Sequence, residues 1–254
     1  MLLKDKVLFL TGGSSGIGYE CAKAYANEGA FIAIASNHED DLKKILAEIG
    51  NHIHITICCD VSVEEEVKNA IESTIKHFGK LDAIHNNAGI VIPSVMLHET
   101  TTEQWDKLMD INLKSIYLTT KYGLSALQKS KGSILNTSSL VGDIGQENHA
   151  AYSATKGGIS TLTKSMALDY AKYQIRVNAV CPAWVLTPAV EDWMSQQPDQ
   201  EKTNEYIKTI HPLGYCPEGD VIADACVFLL SEKARFITGC ALPVSGGAEL
   251  GYRR

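Results

Sequence analysis

Tyr152 and Lys156 stand four residues apart in a segment of helical character, so their side chains share one face. A free phenol has a pKa of about 10 and is a poor base at neutral pH. An ammonium group within about 4 Å, at an effective dielectric near ~20, favours the phenolate by roughly 4 kcal/mol, or about three pKa units. Such a pair makes a proton donor-acceptor poised near neutrality. Spacing alone is weak support, since Tyr170 and Gln174 are helical neighbours too, with no chemistry attached. Ser139 lies thirteen residues before Tyr152, and its hydroxyl can donate to an oxygen that gains negative charge. Ser138 is its rival for that role.

A second group of residues suits a phosphate. The first apolar run is followed directly by Thr11-Gly12-Gly13-Ser14-Ser15-Gly16-Ile17-Gly18. A strand feeding a glycine-rich turn and then a helix aims backbone N–H groups and the positive helix end at one point. A pyrophosphate is stabilised there, and a Cβ would block its approach. No Gly-Lys-[Ser/Thr] follows, which excludes a Walker P-loop.

The elements that must position these residues are legible as an alternation. Short, mostly continuous apolar runs at 7–10, 31–35, 53–58, 81–85, 133–135, 177–180 and 241–244 read as strands buried on both faces of a parallel sheet. Between them the pattern predicts helices over 63–78, 105–123 and 151–173, and one running to 230. Ser62 with Glu65, and Thr101 with Gln104, have capping-box spacing. Pro217 suits the first turn of the last helix. Gly29 stops the first helix. One doubly wound α/β domain over 1–254 is expected, with about seven strands in a parallel sheet and helices on both faces. The segment 183–212 breaks the rhythm and is expected to be an irregular lid.

Composition narrows the function classes. The formal net charge is -7 and no dense Lys/Arg block occurs, which argues against a nucleic-acid partner. No apolar run approaches the roughly 18 residues of a membrane span, and the first residues lack a signal-peptide core, so a cytoplasmic protein is expected. The seven cysteines include no Cys-x-x-Cys pair; they are expected to be buried free thiols in a reducing compartment. Zinc-ligand spacing is absent, and no metal is expected.

Thr-Gly-x-x-x-Gly-x-Gly resembles the fingerprint of the short-chain dehydrogenase/reductase family. Further landmarks follow in register over nearly the whole chain: Asn86-Asn87-Ala88-Gly89, Asn112, Ser139, Tyr152-x-x-x-Lys156, and Pro182 with Thr187. The resemblance implies an NAD(P)-dependent oxidoreductase acting on a secondary alcohol or carbonyl. Tyr152 would transfer the proton, Ser139 fix the substrate oxygen, and Lys156 tune Tyr152 and hold the ribose. Asn112 would hold a relay water. Gly12, Ser14, Ser15, Gly16, Ile17 and Gly18 would cradle the pyrophosphate. Asp60 and Val61 would meet the adenine, Asn87, Ala88 and Gly89 the adenosine, and Pro182, Val185 and Thr187 the nicotinamide side. The family usually has glycine where Ala183 stands. The resemblance also implies a Rossmann-type sheet in the order 3-2-1-4-5-6-7 and a homotetramer, with the helices at 105–123 and 151–173 as interfaces.

Cofactor choice is usually set after the second strand, by an acid for NAD or an arginine for NADP. Ser36-Asn37-His38 and Ser15 carry neither marker. With no fixed cation for a 2′-phosphate, NAD(H) is expected over NADP(H), although Ser36 and His38 can still hold the latter. The stretches 138–146 and 246–252 resemble a branch of the family that oxidises aldoses such as L-fucose and is also described as acting on 17β-hydroxysteroids. There Gln146 and Tyr252 would line the substrate pocket, with Trp184 at its mouth. Ile90 and Val91 depart from that branch, which carries histidines. The alternatives are a steroid or alicyclic alcohol dehydrogenase, a 3-oxoacyl thioester reductase and a non-catalytic dinucleotide sensor. Glu191, Asp192, Asp199, Glu201 and Glu205 in the lid would repel an acidic acyl carrier protein. The sensor is disfavoured because tyrosine and lysine are both intact. A sugar-nucleotide epimerase would need an added substrate domain.

Overall fold

In the computed structural model, residues 1–50, 53–91 and 94–250 are described; Tyr252 lies outside them. The elements run β1 (Val7–Thr11), α1 (Gly16–Asn27), β2 (Phe31–Ser36), α2 (Glu39–Ile49), β3 (Ile55–Cys58), α3 (Glu64–Phe78) and β4 (Ala83–Asn86). Then come α4 (Thr102–Met109), a π turn (Asp110–Lys114), α5 (Ser115–Ser130), β5 (Ser133–Thr137), α6 (Val141–Ile144), α7 (Ala150–Tyr170) and β6 (Arg176–Pro182). The chain closes with α8 (Pro188–Ser195), α9 (Gln200–Ile210), α10 (Gly219–Leu230) and β7 (Ala241–Val244).

All seven strands pair in parallel, in the order β3-β2-β1-β4-β5-β6-β7. The pleat splits β1 between two cores: Leu8 and Leu10 face Cys21, Tyr25 and Ile222 of α1 and α10, while Val7 and Phe9 face Val67, Ile71 and Ile116 of α3 and α5. Each large apolar side chain so buried contributes roughly 1.5–3 kcal/mol. Strand order reverses between β1 and β4, the point at which open α/β sheets take their ligands, at the carboxyl ends of the strands. Thr11, Asn86, Thr137 and Pro182 end the four strands that border it.

Four expectations are corrected. Ser62 does not cap α3: its hydroxyl and N–H both donate to Asp60 Oδ1 (2.7 and 2.9 Å), and Val63 takes the N-cap position. Pro217 lies one residue before the N-cap Glu218 of α10 rather than inside its first turn, and its carbonyl accepts from Leu186 N–H. The lid is largely helical: Thr187 caps α8 with Pro188 following, and Asp199 caps α9. The cysteines are all free, but Cys58 is exposed and Cys216 and Cys240 are only half-buried. The Thr101–Gln104 box forms as expected, in both directions.

Candidate active site

The glycine turn is shaped by close approach. Gly12 has φ +63°, and a Cβ there would lie 2.8 Å from Ala88 Cα. A Cβ on Gly18 would drive into the Gly12 carbonyl oxygen and stand 2.5 Å from Asn87 Nδ2. Ser15, the N-cap of α1, gives no side-chain bond to the first turn, so those N–H groups remain open to an anion. The cradle therefore fits a pyrophosphate. Its walls are tied together: Asn87 Nδ2 donates to the carbonyls of Thr11 and Gly12 (3.3 and 3.1 Å), and Thr11 Oγ1 accepts from the N–H groups of Asn87 and Ala88. Ser14 Oγ donates to Ser36 Oγ at 2.7 Å, linking the turn to the end of β2. A Cβ on Gly16 would meet Thr187 Cγ2 at 3.4 Å, so the lid begins against the turn. Val61 and Val185 are buried, and Asp60 keeps Oδ1 on Ser62.

The two serines separate cleanly. Ser138 is buried, donates to the Lys156 carbonyl at 2.8 Å and pairs with Ser160 Oγ at 3.0 Å. Ser139 makes long bonds, to the Pro182 carbonyl and from Val141 N–H, both 3.4 Å, and its hydroxyl lies beside Tyr152. Ser139 thus has the hydroxyl to spare. Ser139→Ala is expected to lower kcat about 10²-fold with Tm unchanged. Ser138→Ala is expected to cost about 1–3 kcal/mol of stability, because it leaves the buried Ser160 hydroxyl without its partner. Steady-state kinetics and thermal melts check both.

Tyr152 and Lys156 face one another on α7, with Lys156 Nζ 5.6 Å from the phenol ring centre. Nζ is buried and donates to the Thr137 carbonyl at 2.8 Å. Burial pushes Lys156 down to about 8. It also pushes Tyr152 up to about 12, and the Ser139 hydroxyl beside it lowers it only in part. This corrects the expectation of a phenol already poised near neutrality. The ammonium sits over the ring and is spent on Thr137, so desolvation wins. The protein groups alone hold the phenol protonated; lowering it takes further positive charge in the cleft.

Asn112 lies inside the π turn, 1% exposed. Its Oδ1 accepts from Ile90 N–H (2.8 Å), and its Nδ2 donates to the Ile90 carbonyl and Thr155 Oγ1 (2.9 and 3.2 Å). Both amide hydrogens are committed, so the side chain pins the exit of β4 to α7. A Cβ on Gly89 would lie 3.4 Å from Asn112 Oδ1 and 3.6 Å from Lys156 Nζ, which places all three at one point. Sequence reasoning misses Thr137 and Thr155, because nothing in their spacing marks them. It misses Trp193 as well: its ring centre is 5.1 Å from that of Trp184, and the two indoles pack at 47°. Gln146 is exposed on the loop before α7, where Val95 N–H donates to the Asn148 carbonyl and Ser94 Oγ lies 3.4 Å from His149 Nδ1.

A dinucleotide cradle beside a serine, tyrosine and lysine at the carboxyl edge of a parallel sheet defines a nicotinamide-dependent oxidoreductase. The family model described as enoyl-(acyl carrier protein) reductase matches residues 12–249. L-fucose dehydrogenase from Bos taurus is 40% identical over 249 residues, covering 98% of this chain and 91% of that enzyme. Two solved structures are similar throughout. Levodione reductase has TM-score 0.93 and 31% identity, over 98% of this chain and 100% of its own. The 3-ketoacyl-(acyl-carrier-protein) reductase from Brucella melitensis, complexed with NADH, has TM-score 0.89 and 31% identity, over 96% and 98%. The chain belongs to the short-chain dehydrogenase/reductase family and is an NAD(P)-dependent oxidoreductase. Among the described residues no helix is long and apolar enough to cross a membrane.

Proposed function

We propose that this enzyme oxidises an aldose of the L-fucose type, with NAD as the preferred acceptor and Tyr152 as the proton-transfer residue. The observation that carries the reading is the convergence of Ser139, Tyr152 and Lys156 beside the glycine turn, in a chain 40% identical to an L-fucose dehydrogenase. Nicotinamide, when bound, supplies the hydride acceptor. Ser139 Oγ donates to the substrate oxygen and orients it. Tyr152 Oη takes the hydroxyl proton. Lys156, anchored on Thr137, stands beside the phenol and holds the ribose. A π turn skips one carbonyl of the helical ladder, and the main chain around Asn112, rather than its committed amide, holds the relay water. Asp60 and Val61 take the adenine side, and Val185 and Thr187 the carboxamide side. Trp184 and Trp193 offer an aromatic shelf for the C–H face of a pyranose; Gln146 and Tyr252 meet its hydroxyls. The segment 183–212 closes over it.

No fixed cation follows Ser36 to neutralise a 2′-phosphate, and its hydroxyl already receives Ser14 Oγ and His38 N–H. Free thiols suit a reducing cytoplasm. Exposed Tyr117 on α5 and Leu168 on α7 suit the helix faces of a homotetramer. A second reading, an alicyclic alcohol, is favoured by Ile90 and Val91, where the aldose branch has histidines.

One absorbance screen for reduced nicotinamide, over aldoses, steroids, alicyclic alcohols and acetoacetyl thioesters with both dinucleotides, tests these assignments. The highest kcat/KM is expected with L-fucose and NAD. A preference for NADP of about tenfold, some 1.4 kcal/mol, would reverse the cofactor assignment, and a faster cyclohexanol would reverse the substrate. Because burial raises Tyr152, its phenolate form is scarce at neutral pH, and kcat for oxidation is expected to climb as pH rises into the alkaline range. A kcat falling over that range contradicts it.

A further inference from the structure

Between β4 and the helices α1 and α10, three side chains far apart in sequence converge. Cys21 of α1, His85 of β4 and Cys226 of α10 have ligand atoms all within 4.8 Å of one another. With Tyr25 beside them, all four residues are 0% exposed. The mechanism uses none of them.

Hydrogen bonds fix the imidazole tautomer. Asn87 Nδ2 donates to the Thr11 and Gly12 carbonyls, so its Oδ1 accepts the Thr137 hydroxyl at 3.2 Å. Thr137 Oγ1 has then given its hydrogen away and accepts from His85 Nε2 at 3.0 Å. Nδ1 is left with its lone pair turned toward Tyr25 Oη, at 2.9 Å. A metal-bound histidine is held in this way, with its second nitrogen donating to an oxygen that sets ring orientation.

We propose that Cys21, His85 and Cys226 hold one zinc ion that straps α1 to α10 and β4, with Tyr25 Oη on the fourth side. Two thiolates and a neutral imidazole suit a divalent d¹⁰ cation, and the set is electrically neutral. Neutrality matters here, because an unbalanced charge at this depth carries a large desolvation cost. Each thiol gives up its proton as the metal binds. Zinc–sulfur bonds of about 2.3 Å spread tetrahedral donors about 3.8 Å apart, so side-chain rotation of about an ångström closes the three ligands, and Tyr25 Oη, which lies on the Nδ1 lone pair, swings aside to the fourth position. The ladder His85–Thr137–Asn87 ends on the glycine turn, so the strap braces the dinucleotide cradle from behind.

The full chain is unfolded and refolded in reductant with and without zinc, then freed of loose metal and assayed. One zinc per chain is expected, with a higher Tm and tighter dinucleotide binding in the zinc-refolded protein. X-ray absorption at the zinc edge is expected to show two sulfur neighbours at about 2.3 Å and a nitrogen at about 2.0 Å. Cys58→Ser should keep the metal; Cys21→Ser with Cys226→Ser should lose it. If that double variant does not fold, the wild-type spectrum decides alone. A wild-type chain that retains no zinc, zinc that survives the double variant, or a spectrum without sulfur each overturns the proposal.

Discussion

Tyr152→Phe is expected to lower kcat by about 10³-fold or more while NAD binds within about twofold of wild type, because positioned proton transfer contributes about 10²–10⁴-fold. The substitution removes one oxygen and keeps the ring under Lys156 Nζ. It leaves the turn, the Asn87 brace and Ser139 in place. Phenylalanine also relieves a desolvated hydroxyl, so Tm should hold or rise. Kinetics together with quenching of protein fluorescence by NAD separate turnover from binding. A variant with more than a tenth of wild-type turnover would remove Tyr152 from the reaction.

Gly18→Ala is expected to weaken dinucleotide binding by about 100-fold or more and to lower stability by about 3 kcal/mol, or roughly 6–12 °C in Tm. The added methyl meets the Gly12 carbonyl and the Asn87 amide that ties β1 to β4. Neither is the loose end of a flexible side chain, so the backbone must move. The shift opens the cradle at the point where the pyrophosphate approaches α1. Calorimetric titration with NAD and a thermal melt measure the two effects. Gly79→Ala is the control: a Cβ there has nothing within 4 Å and only its φ of +77° opposes it. Its loss should be confined to about 1–2 kcal/mol of helix-stop strain, with binding intact.

The sheet was legible because strands covered on both faces read as continuous apolar runs; 241–244 matches β7 residue for residue. Strand order followed from the family resemblance and crossover handedness. Local capping signals were less secure. Thr101 and Gln104 close their box, yet Ser62 and Glu65, with the same spacing, do not, because the Asp60 carboxylate two residues away captures Ser62 first. Helices α8 and α9 were missed although Thr187-Pro188 and Asp199 announce them. Their exposed faces blur the apolar period that identifies a packed helix.

In the site, the residue types were legible and their electrostatics were not. Spacing puts Lys156 beside Tyr152, but not the Thr137 carbonyl that draws its ammonium, nor the burial that raises the phenol. The π turn at Asp110–Lys114 adds one residue to a helical ladder and leaves no mark in composition. Cys21, His85 and Cys226 lack ligand spacing because the sheet crossover, not the local chain, brings them together.

The central claim is that Tyr152 accepts the hydroxyl proton as hydride leaves the carbon bearing that hydroxyl for nicotinamide. Single-turnover mixing of NAD-saturated enzyme with L-fucose, unlabelled or deuterated at the carbon oxidised, tests it through the absorbance of reduced nicotinamide. The expected trace is one rise, slowed several-fold by deuterium and nearly abolished in Tyr152→Phe. No rise with any sugar or secondary alcohol, or an equal rise in the phenylalanine variant, would contradict the account.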